Sequence, residues 1–233
     1  RGDKTDVVTF SGSYNTIMGS HALGDTSQDL GASSKNVLIG YKAAYSGATI
    51  VDNVVIGYQA AYTDETGNSN VYIGYESGYT ANGADKNTGV GKQSLRAVTT
   101  GTGNIGIGYR AAYKVTTSNA NIAIGNQAME DATGAGSTIS IGEYSGYNII
   151  GTNNIFMGYA SGYGDTTTKT AQSNVALGKQ TLKSVSDGSD NVVIGHLAAT
   201  GTTTGDKNVY IGMTAGTANT TSSYNTAVGA YAL

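Results

Sequence analysis

The sequence contains no cysteine, no proline and no tryptophan in 233 residues, and only 12% of its residues are charged. A soluble domain typically carries ~25%. Without cysteine there is no disulfide framework and no thiolate metal site. The 13 basic and 16 acidic residues leave a net charge of −3, which argues against a nucleic-acid-binding surface. No apolar run approaches the ~20 residues of a membrane-spanning helix, so no membrane insertion is expected. Glycine is abundant, at 35 residues, but does not recur at every third position, which excludes collagen. Regularly recurring β-branched and aromatic residues exclude disorder. The chain begins at Arg1 with neither an initiator Met nor a signal-like apolar region, and reads as a processed form or a fragment.

What is present is a repeat. The unit Asn-(apolar)-x-(aliphatic)-Gly-x-x-(small) starts at Asn15, Asn36, Asn53, Asn70, Asn87, Asn104, Asn121, Thr138, Asn154, Asn174, Asn191, Asn208 and Asn225. These thirteen units are coils 1 to 13 below, and positions are counted from each first residue. Successive starts are 21, 17, 17, 17, 17, 17, 17, 16, 20, 17, 17 and 17 residues apart. Position 5 is always Gly, which implies positive φ or a close backbone approach. Position 2 is β-branched, position 4 large and aliphatic, and position 8 Ala, Ser or Thr. Positions 11 to 17 are polar and absorb the irregular spacings, so they read as a surface loop.

Seventeen residues leave room for at most one short helix, and the β-branched, glycine-terminated motif suits strands. The expected fold is therefore all-β: a parallel β-solenoid, or β-roll, of about 13 coils and two short strands per coil. Residues 1–14 form a lead-in or cap and residues 15–233 the repeat domain. Coils stacked at ~4.7–4.9 Å give a rod of roughly 60 Å. The Asn at position 1 suits a hydrogen-bonded amide ladder along the stack.

Positions 2 and 4 share parity, so in a strand they face one way and position 3 the other. Taking 2, 4 and 8 as the interior places position 3 outside. Leu38, Val55, Tyr72, Phe156, Val193 and Tyr210 then form an uncharged outer stripe, and such a stripe implies a partner surface. Self-association about the rod axis follows, with three copies preferred and those six residues as candidate interface.

The segment Asn225-Thr226-Ala227-Val228-Gly229-Ala230-Tyr231-Ala232-Leu233 resembles the NTAVGxxAL repeats of bacteriophage tail fibres. It is also similar to the head repeats of trimeric autotransporter adhesins, left-handed parallel β-rolls in a homotrimer whose repeats are shorter than these. The likeness runs from about Asn15 to Leu233. It implies an extracellular fibre, on a virion tail or a cell surface, that attaches to a surface or receptor rather than performing chemistry.

Two kinds of coil occur. One reads Gly-Tyr-x-(Ala/Ser)-(Ala/Gly)-Tyr, as in Tyr41/Tyr45, Tyr58/Tyr62 and Tyr75/Tyr79; the other reads Gly-Lys-Gln-(Ser/Thr)-Leu-(Lys/Arg), as in Lys92 to Arg96 and Lys179 to Lys183. Positions 9 and 10 look as if they exchange volume. The six tyrosines of the three consecutive Tyr coils should stack in two ladders. These serve either packing or, as exposed aromatics, a glycan- or receptor-binding strip.

Nothing in the sequence suggests catalysis or a cofactor. His21 and His196 lie far apart in the repeat, without a converging Ser or Asp. Asp64 and Glu65 read as solvated loop charge, and Asp187-Gly188-Ser189-Asp190 lacks a calcium-repeat pattern, so no metal site is expected. Arg1-Gly2-Asp3 matches an integrin-binding tripeptide at a frayed end, and Asn219-Thr220-Thr221 is a glycosylation sequon. The functional expectation is a non-enzymatic extracellular fibre or adhesin segment. Its partners are copies of itself and a cell-surface glycan or protein receptor. Two alternatives stay open. One is an ice-binding solenoid, although threonines such as Thr99-Thr100 and Thr166-Thr167-Thr168 fall in irregular loops. The other is a self-assembling surface filament.

Overall fold

A computed structural model describes residues 14–24, 33–164 and 169–233. Most of the expected lead-in, the Arg1-Gly2-Asp3 tripeptide and Thr166-Thr167-Thr168 lie outside the described residues. The chain forms two compact units, residues 1–117 and 118–233. The first contains β1 (Thr16–Met18), β2 (Val37–Ile39), β3 (Val54–Ile56), β4 (Val71–Ile73), β5 (Thr88–Val90) and β6 (Ile105–Ile107). The second contains β7 (Ile122–Ile124), β8 (Ile139–Ile141), β9 (Ile155–Met157), β10 (Val175–Leu177), β11 (Val192–Ile194), β12 (Val209–Ile211) and β13 (Thr226–Val228). Among the described residues there is no helix.

Each strand is positions 2 to 4 of one coil, and within each unit it pairs in parallel with its counterpart in the next. Val37 lies beside Val54 and Val54 beside Val71 in the first unit, as Val175 lies beside Val192 in the second. Irregular spacings leave this register intact: Thr16 pairs with Val37, Ile139 with Ile155 and Ile155 with Val175. Each unit is thus a parallel β-solenoid with a 17-residue repeat.

Among the described residues the second strand expected in each coil is not formed, and outside the named strands pairing is limited to isolated bridges such as Val51↔Asn68. A left-handed turn ladder takes its place. At Gly57 the backbone turns with φ +142°, and an added Cβ would sit 2.3 Å from the Gly74 carbonyl oxygen, so position 5 needs glycine on both grounds. Positions 7 and 9 are then left-handed without being glycine, as at Gln59 (φ 51°) and Ala61 (φ 48°). Such residues cost roughly 1–2 kcal/mol each. Coil-to-coil hydrogen bonds hold them: Gln59 N–H donates back to Tyr41 O and Ala61 N–H forward to Ser77 O, both at 2.9 Å.

The parity expectation is reversed. Position 3 faces inward: Leu38, Tyr72, Phe156, Val193 and Tyr210 are 0% exposed and Val55 is 1% exposed within the single chain. They cannot form an interface with another chain, because the chain's own core already covers them. Positions 2 and 4 face outward. The core comprises positions 3, 8, 9, 12 and 15 around the Asn column.

Inside it, volume is exchanged between positions 3 and 9, not 9 and 10. Tyr72, Phe156 and Tyr210 each lie on a position-9 glycine, where an added Cβ would meet the ring at 2.5 Å (Gly78), 2.4 Å (Gly162) and 2.6 Å (Gly216). Conversely, Leu95, Met129 and Leu182 at position 9 accompany Gly89, Ala123 and Ala176 at position 3. Close packing requires this compensation.

The position-1 amides form the expected ladder. Asn53 Nδ2 donates to Asn36 Oδ1 (3.2 Å) and to Gly67 O (2.8 Å), while Asn53 N–H donates to Asn36 Oδ1 (2.9 Å). Thr138 continues the ladder through its hydroxyl, whose one hydrogen is within reach of Gly136 O (3.3 Å) and Gly151 O (3.5 Å) and whose oxygen accepts Asn154 N–H at 3.4 Å.

Asp64 is not solvated loop charge. It occupies position 12 of coil 3, is 2% exposed, and accepts Gly67 N–H at 2.8 Å. Burial pushes its carboxyl up to about 6, against the opposing pull of the backbone hydrogen bonds from Gly67 and Gly83.

Two predictions follow from this packing. Gly78→Ala should destabilise by about 1–3 kcal/mol in denaturant unfolding, and adding Tyr72→Leu, which recreates the Leu38/Ala44 pair of coil 2, should recover most of the loss. The carboxyl of Asp64 is raised in the fold, so the unfolded chain loses its proton first as pH rises. Stability should therefore fall between about pH 4 and pH 6, by on the order of 3 kcal/mol. Asp64→Asn should flatten that part of the pH profile.

Candidate functional site

Two outward faces carry repeated chemistry. The first is the turn at positions 6 to 10. In the first unit the six tyrosines singled out by the repeat come together as two rows. Tyr41, Tyr58 and Tyr75 stack at 5.3 and 5.2 Å between ring centroids; Tyr45, Tyr62 and Tyr79 stack at 5.2 and 5.1 Å. The coil spacing sets these distances, which suit offset aromatic stacking. The position-6 rings of Tyr41, Tyr58 and Tyr75 are 41–44% exposed, and the position-10 rings are half-buried.

Between the rows runs position 7: Lys42, Gln59, Glu76, Gln93 and Arg110. Lys42 Nζ lies 5.5 Å from the Tyr41 ring centroid and 4.8 Å from that of Tyr45. Arg110 bridges Tyr109 and Tyr113 at 5.5 and 4.8 Å in the same way. These are cation–π distances. Glu76 Oε2 accepts Gln93 Nε2 at 2.9 Å and Arg96 Nε at 2.7 Å. Burial works to raise the Glu76 carboxyl, but the hydrogen bonds from Gln93 and Arg96 and the charge of Arg96 outweigh it and hold it below the ordinary range.

In the second unit, Tyr147 stacks on Tyr163 at 5.3 Å, while Tyr144 stands edge-on to Tyr159 (6.2 Å) and Tyr163 (6.1 Å). Burial, then the charges of Glu130 and Asp131, push the Tyr147 hydroxyl up to about 12. The sequence reading named the tyrosines but missed the row between them. Its signal was a charged or amide residue recurring between two aromatics four apart.

The second face is the outside of the sheet. In each unit it shows two uncharged columns, position 2 (such as Val54, Val71, Val192 and Val209) and position 4 (such as Ile56, Ile73, Ile194 and Ile211). Ile107, Met157, Ile194 and Ile211 are 36–40% exposed.

The remaining sequence-flagged groups are dispersed. His21 is exposed, beside Ser20 Oγ (2.7 Å) and edge-on to Tyr41, and His196 is exposed on its own coil. Asn219, the sequon residue, donates to the buried Tyr210 hydroxyl and accepts Ser222 N–H at 3.0 Å, so its amide is engaged in the fold. Asp187 accepts the Thr170 hydroxyl at 2.6 Å. Among the described residues no cluster of three or more His, Cys, Asp or Glu could hold a metal ion. Compared with known proteins, the chain matches no family model, no curated protein and no solved structure.

Proposed function

We propose that the chain is a non-enzymatic, self-associating segment of an extracellular fibre or adhesin, of the tail-fibre or trimeric-adhesin kind its repeats resemble. The observation that carries this reading is the uncharged aliphatic sheet face. Seven rungs, two side chains wide, amount to on the order of 400 Å² of apolar surface in the second unit, the scale at which such patches mark protein contacts. Copies of this chain are the economical occupant, because identical columns at one rung spacing match rung for rung. Three copies remain the preferred number. The inward position-3 residues play no part in this contact. The tyrosine face stays outside it and offers rigid aromatic area, at low entropic cost, to a host-surface glycan or protein receptor.

Sedimentation of the intact chain tests the first half: an oligomer is expected, and Ile56→Glu with Ile73→Glu should release monomers that keep the β spectrum. A wild-type monomer would end the self-association reading. Adsorption to cells tests the second. Tyr58→Ala with Tyr62→Ala should abolish attachment while the oligomer persists; collapse of the oligomer would instead assign the ladders to packing.

A further inference from the structure

The turn face contains its own template for a ligand. In coil 4, the position-7 carboxylate of Glu76 is held by two residues of coil 5, Gln93 at position 7 and Arg96 at position 10. Coils 9 and 10 repeat the setting. Tyr159 and Tyr163 take the places of Tyr75 and Tyr79. Gly178-Lys179-Gln180-Thr181-Leu182-Lys183 takes the place of Gly91-Lys92-Gln93-Ser94-Leu95-Arg96. The amide and the cation are again present, as Gln180 and Lys183. The carboxylate is not, because position 7 of coil 9 is Ala160. Ala160 and Glu76 have the same backbone conformation, φ 49° and 50°, so the side chain alone differs.

Its truncation opens a cavity of about 230 Å³ lined by Tyr144, Tyr159, Ala160, Tyr163, Gln180 and Lys183. Ala160 is the buried floor, and the edge-on Tyr144 ring closes the end towards coil 8. Among the described residues neither the Gln180 amide nor the Lys183 ammonium has a side-chain hydrogen-bond or ion-pair partner.

We infer that this cavity binds the carboxylate of an acidic sugar residue, with the carboxylate on Gln180 and Lys183 and the pyranose ring against the tyrosine faces. A space of 230 Å³ exceeds the ~150 Å³ that holds a benzene and falls below the ~300 Å³ at which drug-sized pockets begin, which is the monosaccharide range. Among the described residues Lys183 is the one formally charged lining residue; Lys179 lies at the rim with Nζ 5.9 Å from the Tyr159 ring centroid, and the Glu143 carboxylate beside Tyr144 is taken up by Asn126 Nδ2 at 3.1 Å. An anion is therefore favoured over the cations that other tyrosine bays hold in Lys42 and Arg110. The inference rests on the reading of the tyrosine face as a contact surface and adds the ligand's chemistry.

Calorimetric titration of the full chain tests it with three probes: glucuronate, neutral glucose, and N-acetylglutamate amide as a peptide-type carboxylate. Glucuronate should bind and glucose should not, with the peptide-type carboxylate weaker than glucuronate. Lys183→Ala should weaken glucuronate at least about tenfold. Ala160→Glu should abolish binding by supplying the missing carboxylate from within, as Glu76 does. If that variant does not fold, Gln180→Ala and Lys183→Ala carry the same test. No glucuronate binding, equal binding of glucose, or binding that survives these substitutions would overturn the inference. Preference for the glutamate probe would reassign the site to an acidic peptide and overturn it too. Glucuronate binding with the expected variant pattern, in a chain that does not adsorb to cells, would keep the site and remove only the attachment reading.

Discussion

The side-chain amide at the head of every coil but that of Thr138, buried in all but the first and last coils, is the constraint on which the rest of the stack depends. A buried amide must find partners for its oxygen and both hydrogens. Asn53 meets that demand in two directions at once, along the stack through Asn36 and Asn70 and across its own coil through the Gly67 carbonyl. The second bond closes the coil. In regular coils the closing carbonyl lies fourteen residues on, as for Asn53, Asn70 and Asn87. Coil 8 closes after thirteen and coil 9 after seventeen. The loop absorbs the length change, the amide recovers its partner, and the next strand starts in register.

That closure explains why period, register and turn were legible in the sequence while the direction of the side chains was not. A motif that repeats with its Asn and Gly in place fixes where the coil begins and where it bends. Alternation reveals an inside only when one parity is polar. Here Val37, Leu38 and Ile39 are all apolar, and hydrophobicity is silent about which of them faces in. The informative quantity was volume. Position 3 ranges from Gly89 to Tyr72, which looks unlike a core until position 9 is read beside it, as Leu95 and Gly78 respectively. Inward positions compensate one another in volume, within a coil or, where both are small as at Gly106/Ala112 and Ser140/Gly146, through Leu95 and Phe156 of the adjacent coils; positions 2 and 4 stay β-branched or aliphatic throughout because they answer only to the strand. The tyrosine rows were legible because stacking follows from register alone. The polar row between them was not, since Lys42, Gln59 and Glu76 share no chemistry except the ability to lie between two rings.

The left-handed turn completes this division of labour. Because positions 7 and 9 both have positive φ, as at Glu76 and Leu95, the turn sends positions 6 and 7 to the surface and positions 8 and 9 into the core, as at Tyr58-Gln59 and Ala60-Ala61, without a strand to direct them. Their strain is sustained because each N–H is tied to a neighbouring coil, so the turn is as strongly templated as the sheet. A surface built this way is rigid, and its rings are positioned before any partner arrives, which lowers the entropy lost on contact.

In such a surface, one column presents the same geometry at every coil, and chemistry enters through departures from the column. Glu76 followed by Gln93 and Arg96 is a complete set, with a carboxylate and its two donors in consecutive coils. Ala160 followed by Gln180 and Lys183 keeps the donors and removes the acceptor. Neither coil alone looks unusual. The pair stands out only against the other copy of the same arrangement, because the repeat supplies, within one chain, both the occupied site and the open one.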